Sequence, residues 1–230
     1  MRRKILPSIT TTEGSDWREK IREINELGLQ EVAIFPTCLQ EEQRRELYRL
    51  LKNSKVKNIP YCHLRNDMKA GELEYLVKNY NTRVFSVHMR VEYPTFHDWL
   101  KRKKIIYIEN VYHPFDEKEL MEFGGICLDF SHLENDRILA RENFKRNIKV
   151  IEKNFIGVNH ISSIKKVSQI DNMGYTCYAY HVFDNLSEFD YLKKYPLSYF
   201  SPLIIIEVEN SIKEQLMAKD YIANLLKEKK

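Results

Sequence analysis

Eight short apolar segments, each followed by a stretch with helical periodicity, constrain this 230-residue chain more than any other feature. They fall near Lys4–Thr10, Glu31–Phe35, Asn58–His63, Arg83–His88, Lys104–Glu109, Gly125–Leu128, Phe155–Ile161 and Pro202–Glu207. Their runs of Ile, Val, Phe and Leu suit strands covered on both faces. Between the first two, Trp17, Ile21, Ile24 and Leu27 recur on one helical face, with Ser15 or Asp16 placed to cap the start and Gly28 to end it. The spacing predicts further helices over Gln40–Asn53, Ala70–Asn79, Asn135–Asn154 and Ser211–Lys227, with shorter returns near Pro94–Arg102 and Asp116–Phe123. The longest is expected over Asn135–Asn154, with Ile138, Leu139, Ile148 and Ile151 inward. Tyr175–Phe183 reads as an extended excursion inside the seventh loop, followed by a short helix over Ser187–Lys194. Strand and helix alternating eight times call for a parallel sheet closed into a (β/α)8 barrel, one domain over residues 1–230. An open doubly wound sheet is the alternative, but the seven glycines form no GxGxxG phosphate turn.

The bulk composition excludes little but does narrow the partners. Lys and Arg number 37 against 33 Asp and Glu, and this net charge of +4 is too small and too dispersed to mark a nucleic-acid face. Cys38, Cys62, Cys127 and Cys177 form no CxxC pair, which fits reduced thiols of a cytoplasmic protein better than disulfides or a zinc knuckle. Met1–Lys4 is basic, but the following Ile5–Thr11 is too polar for a signal sequence. No apolar run reaches membrane-spanning length, so no membrane partner is expected. The sequence leaves the oligomeric state open.

The chemistry concentrates at the strand ends. In a barrel, His63, His88, Glu109, Asp129, His132, His160 and Glu207 would gather on the carboxyl-end face, with His181 on the seventh loop above. Carboxylates neutralise a divalent cation and neutral imidazoles complete its shell, so Glu109, Asp129, His160 and Glu207 would make a compact site for zinc, manganese or cobalt. Taken singly, a His at a strand end is more often a hydrogen-bonded structural residue, and a Glu there the first solvated one. Acidic or imidazole residues ending strands five to eight in succession favour a metal site instead. His97 and His113 are assigned structural roles. Arg65 and Arg90 could grip an anion, though surface pairing is the expected use.

Ile108-Glu109-Asn110, Asp129-Phe130-Ser131-His132, His160-Ile161-Ser162 and Ile206-Glu207 make the chain resemble the xylose isomerase-like TIM-barrel superfamily. That superfamily includes sugar isomerases and epimerases and the endonuclease IV family of apurinic-site nucleases. The resemblance follows strand order over nearly the whole chain, and the Asp-x-x-His element is its most specific part. On the isomerase branch it implies Glu109, Asp129, His160 and Glu207 as ligands of one catalytic metal. Glu109 and Glu207 would also move a carbon-bound proton through an enediolate, His132 would hold a hydroxyl, and the partner would be a small sugar or sugar phosphate. On the nuclease branch it implies His63 and His88 joining Glu109 at a first zinc. Asp129, His160 and Glu207 would hold a second, and His132 and His181 would bind a third together with an Asp two residues before His181. Ala179 stands at that position. The isomerase reading is placed ahead, with a DNA phosphodiester hydrolase second. A non-catalytic binding barrel is third, kept open by strand-end loops that offer little to close over a substrate.

Overall fold

The computed structural model describes residues 3–12, 14–94, 99–171 and 173–229. Its main sheet is parallel throughout and runs in the order β1-β11-β8-β7-β6-β5-β4-β3-β2. The strands are β1 (Lys4–Leu6), β2 (Ser8–Thr10), β3 (Ala33–Phe35), β4 (Tyr61–His63), β5 (Val84–His88), β6 (Ile106–Glu109), β7 (Ile126–Asp129), β8 (Ile156–Ile161) and β11 (Leu203–Ile206). Only Pro7 separates β1 from β2, and the two lie at opposite ends of that order. They are one physical strand. Its first half pairs with β11 and its second half with β3, so the sheet closes into an eight-strand barrel. Pro7 has no N–H to give a ladder, while its carbonyl accepts from Ala33 N at 2.9 Å. The (β/α)8 expectation is met.

Alternation along each strand sorts the core into two compartments. Ile34, Cys62, Phe85, Ile108, Ile126, Leu128, Ile204 and Ile206 point outward into the large core beneath the helices. Leu6, Ala33, Phe35, Tyr61, Cys127, Val158 and Ile205 fill the barrel interior. Helices α1 (Trp17–Leu27), α2 (Glu41–Lys52), α3 (Ala70–Tyr80), α4 (Glu117–Glu122), α5 (Phe130–Ile138), α6 (Glu142–Ile151) and α7 (Ile212–Glu228) complete the fold. Asp16 caps α1 by accepting from Glu19 N, and Gly28 ends it at φ 69°. The first and last units are clipped together by Glu209, whose carboxylate accepts from Thr12 N and Oγ1, Ser15 Oγ and the buried Lys20 ammonium.

Three sequence expectations need correction. The long helix over Asn135–Asn154 is two helices, α5 and α6, and α5 begins directly after β7. The break falls at Ala140, with φ 52°, and Ile138 is exposed rather than inward. Arg141 explains it: its guanidinium bonds Asp136 Oδ1 at 3.1 Å and the Thr176 carbonyl at 3.0 Å, tying the bend to a distant loop. That loop is itself larger than expected, an antiparallel hairpin of β9 (Ser163–Ile170) and β10 (Thr176–Tyr180). Phe155 is exposed rather than part of the seventh strand. The short helix expected near Pro94–Arg102 falls partly on residues 95–98, outside the described residues, as does His97; a 3-10 turn covers Leu100–Ile105. Among the described residues no helix is long and apolar enough to cross a membrane. No disulfide forms; Cys62, Cys127 and Cys177 are buried and Cys38 is exposed.

Candidate metal and active site

Parallel register carries the polar strand ends to one place. His88 pairs with Glu109 and Asp129 with His160, while Glu207, one residue beyond β11, donates its N–H to the Ile161 carbonyl at 2.9 Å. Because alternation sends every second side chain inward, Glu109, Asp129, His160 and Glu207 all face the barrel axis. One ligand atom from each lies within 4.8 Å of the others. Glu109, Asp129 and His160 are buried, and the Glu207 side chain keeps 12% of its surface exposed.

The donor atoms lie close enough together to share one cation. His160 Nδ1 stands 3.0 Å from Glu109 Oε1 and 3.3 Å from Glu207 Oε2 without a well-aligned hydrogen bond to either. With metal–ligand bonds of about 2.1 Å, two ligands subtending about 90–109° lie about 3.0–3.4 Å apart. Glu207 Oε2 and Asp129 Oδ2 are likewise buried without a hydrogen-bond partner. Such orphaned atoms are costly unless something else satisfies them. The donor set, three carboxylates and an imidazole, fits a divalent cation of the manganese, zinc or cobalt type.

Asp129 shows how the fold divides a carboxylate between two tasks. It ends β7 and caps α5, its Oδ1 accepting from His132 N at 2.9 Å and Ser131 Oγ at 2.6 Å. Oδ2 is left toward the site. The Asn110 side chain holds the Asp129 backbone from both sides, accepting from its N–H at 2.9 Å and donating to its carbonyl at 3.0 Å.

Electrostatics follow from burial and neighbours. Burial opposes charge on Glu109, but His160 and His63 outweigh it and hold the carboxyl well below the usual range. Burial likewise works against Glu207, and the adjacent His160 keeps its pKa below the ordinary value. Asp129 goes the other way, pushed up by burial. Burial opposes charge on His160, while Cys127, Glu109 and Tyr61 lift its pKa well above the imidazole norm. Burial pushes the Cys127 thiol up to about 12, so Glu109 is the neighbour that carries charge at neutral pH.

The remaining histidines divide into distinct settings. His63 donates from Nδ1 to the Leu64 carbonyl at 2.9 Å and meets Glu109 Oε2 through Nε2 at 2.8 Å. His88 lies between His63, edge to face, and a tilted Tyr93, with ring centroids at 4.7 and 4.9 Å, and burial beside His63 pushes its pKa down to about 3. One donor atom each from His63, His88 and Glu109 also fits within 4.8 Å. His132 sits in the first turn of α5; burial disfavours its charge, but Asp129, Glu109 and Glu207 hold its pKa above the imidazole norm. His181 donates from Nδ1 to the Glu207 carbonyl at 3.1 Å, and it falls outside the donor groups found among the described residues. His113 is paired with Glu92. Arg65 is paired with Asp67, and Arg90 with Glu119 and Glu122, as surface pairing required.

Sequence reasoning passed over the floor and the wall of the site. Tyr61, Ser86 and Cys127 each lie two residues before His63, His88 and Asp129, so the same alternation that finds the strand ends finds them. At the mouth, Tyr112 faces Tyr175 at 5.2 Å and His132 at 6.5 Å between ring centroids. The β9–β10 hairpin thus supplies a wall that the short-loop expectation lacked.

No protein-family model matches this sequence, and no curated protein does. Among solved structures, it is similar to a D-tagatose 3-epimerase-like protein, at 16% identity, 98% coverage of both chains and a TM-score of 0.46. It is also similar to a xylose isomerase-like TIM barrel protein from Mycobacterium smegmatis in complex with magnesium, at 13% identity, covering 93% of this chain and 89% of that one, TM-score 0.47. A xylose isomerase domain protein from Planctomyces limnophilus gives 10% identity, 98% and 96% coverage, and a TM-score of 0.44. These likenesses are of overall fold.

Proposed function

We propose that this chain is a divalent-metal-dependent isomerase or epimerase of a sugar or sugar phosphate. The observation that carries the reading is the four-residue donor set Glu109, Asp129, His160 and Glu207, with orphaned buried atoms on three of its members. A divalent ion such as manganese, zinc or cobalt, when bound there, would polarise the carbonyl and hydroxyl oxygens of the substrate. The protein's own groups do the rest. The Glu207 side chain keeps some solvent access and its pKa lies below the ordinary range, so it is ionised at neutral pH, and with Oε2 turned to the cation its other oxygen is suited to take a carbon-bound proton. Both oxygens of Glu109 face imidazoles, Oε2 toward His63 and Oε1 toward His160, which fixes its carboxylate in place. The proton returns to carbon from Glu207. His132 donates to a substrate hydroxyl, and Tyr112 and Tyr175 offer apolar faces to the C–H side of a sugar.

The test is hydrogen exchange at the substrate carbon, followed by NMR in D2O over a panel of aldoses, ketoses and their phosphates. Glu207→Gln should lower exchange by about 10²- to 10⁴-fold while much of the metal stays bound. Retained exchange in that variant would sink the reading.

A second reading, an endonuclease IV-like hydrolase of DNA phosphodiesters, draws on the His63, His88 and Glu109 donor group. It is disfavoured by Ala179 in place of the aspartate and by the engagement of both His63 nitrogens. It predicts nicking of abasic duplex DNA that disappears in His88→Ala; uncut DNA under metal-replete conditions counts against it.

A further inference from the structure

His160 has a second environment on the side away from Glu109 and Glu207. Its Nε2 meets the Tyr61 hydroxyl and, at 3.3 Å, the Cys127 sulfur. The Tyr61 hydroxyl in turn lies 2.5 Å from Ser86 Oγ. Tyr61, Ser86, Cys127 and His160 all have 0% exposure, so this chain of contacts is closed to solvent.

The chain can run in two directions. In one, the Tyr61 hydroxyl donates to His160 Nε2, which leaves the ring hydrogen of a neutral imidazole on Nδ1. In the other, His160 Nε2–H donates to the Tyr61 oxygen and the Tyr61 hydroxyl donates to Ser86 Oγ, leaving the Nδ1 lone pair open. With a cation held by Glu109 and Glu207, whose oxygens lie 3.0 and 3.3 Å from Nδ1, that nitrogen would have to offer its lone pair and could carry no hydrogen. A hydrogen on Nε2 has acceptors in Tyr61 and Cys127. Ser86 completes the direction, because only with an acceptor of its own can the Tyr61 hydroxyl turn its proton away from the ring.

We infer that Tyr61 and Ser86 are positioning residues that hold the hydrogen of His160 on Nε2 and thereby present Nδ1 to a divalent cation between Glu109 and Glu207. This rests on the metal-site reading above. A partner that orients a ligating histidine typically changes metal affinity 10- to 100-fold when removed.

The experiment is titration of the full chain with manganese(II) by calorimetry, alongside NMR of histidine labelled with nitrogen-15. Tyr61→Phe should bind manganese about 10- to 100-fold more weakly than wild type. Ser86→Ala, in which Tyr61 can donate to Nε2 instead, should weaken binding in the same direction. The ring of His160 should appear as the Nε2–H form in wild type loaded with diamagnetic zinc. Melting curves establish that both variants fold; each removes one hydroxyl, and Ser86→Ala stands alone if Tyr61→Phe does not fold. Wild type that binds manganese with both variants equal to it, or an Nδ1–H signal in zinc-loaded wild type, overturns the inference alone. A wild-type titration without binding overturns the metal-site reading and this inference with it.

Discussion

Replacing Asp129 by Asn should stabilise the protein without metal and destabilise it, relative to wild type, with metal. The two oxygens of Asp129 do different work: Oδ1 caps α5 through His132 N and Ser131, whereas Oδ2 is buried with no partner. Asn caps a helix about as well as Asp, so the first task survives. Removing an unsatisfied buried charge recovers about 1–3 kcal/mol, and losing a negative charge at a helix start returns about 0.3–1 kcal/mol of that. The net gain of about 1–2 kcal/mol should raise the melting midpoint of chelated protein by about 2–8 °C, at about 2–4 °C per kcal/mol for a chain of this size. Metal at a hundredfold excess over its Kd adds about 2.7 kcal/mol to the wild type, or about 5–11 °C, and much of this is lost without the Asp129 oxygen. Melting curves in chelator and in excess manganese should therefore cross over in rank. A variant less stable than wild type in chelator, or one that gains as much from manganese, would show that Asp129 Oδ2 is neither an uncompensated charge nor a metal ligand.

Other predictions address the scaffold. Lys20→Met, by leaving Glu209 short of its buried cation, should cost about 2–4 kcal/mol in urea unfolding, while an unchanged midpoint would remove the clip from the account. Gly125→Ala should be severely destabilising, because φ is +130° and an added Cβ would meet the Phe155 carbonyl oxygen; wild-type stability would contradict that strain. Glu134 is fully buried on α5; burial opposes its charge, but Arg137, Lys194 and Tyr195 hold its pKa below the ordinary value. Its stabilisation is complete above the unfolded-state pKa of about 4.3 and is lost as pH falls through the lower folded value. Glu134→Gln should cost about 2–4 kcal/mol at pH 7 and flatten the loss of stability below about pH 4.5, as read by urea midpoints across that range; an unchanged acid limb would contradict the assignment.

What the sequence made legible followed from local rules. Eight apolar runs alternating with helices pointed to the barrel, and the polar residues ending those runs pointed to Glu109, Asp129 and His160, which the parallel register brings together. The helix break at Ala140 was hidden because no Gly or Pro marks it and its cause is remote, in the Arg141 contact with Thr176. β9 was hidden by its exposure: Lys166, Val167, Ser168, Gln169 and Ile170 are all exposed, so no buried face imposes a pattern. The orphaned atoms of Asp129, His160 and Glu207 depend on side-chain geometry that spacing does not encode.

On the proposed function, Glu109, Asp129, His160 and Glu207 hold one divalent cation. Elemental analysis of protein purified without chelators or a polyhistidine tag, with and without His160→Gln, tests it most directly. One metal per wild-type chain, lost in the variant, is the expected outcome. No metal on the wild type, even after soaking in manganese and zinc, would contradict it, as would full occupancy of the variant.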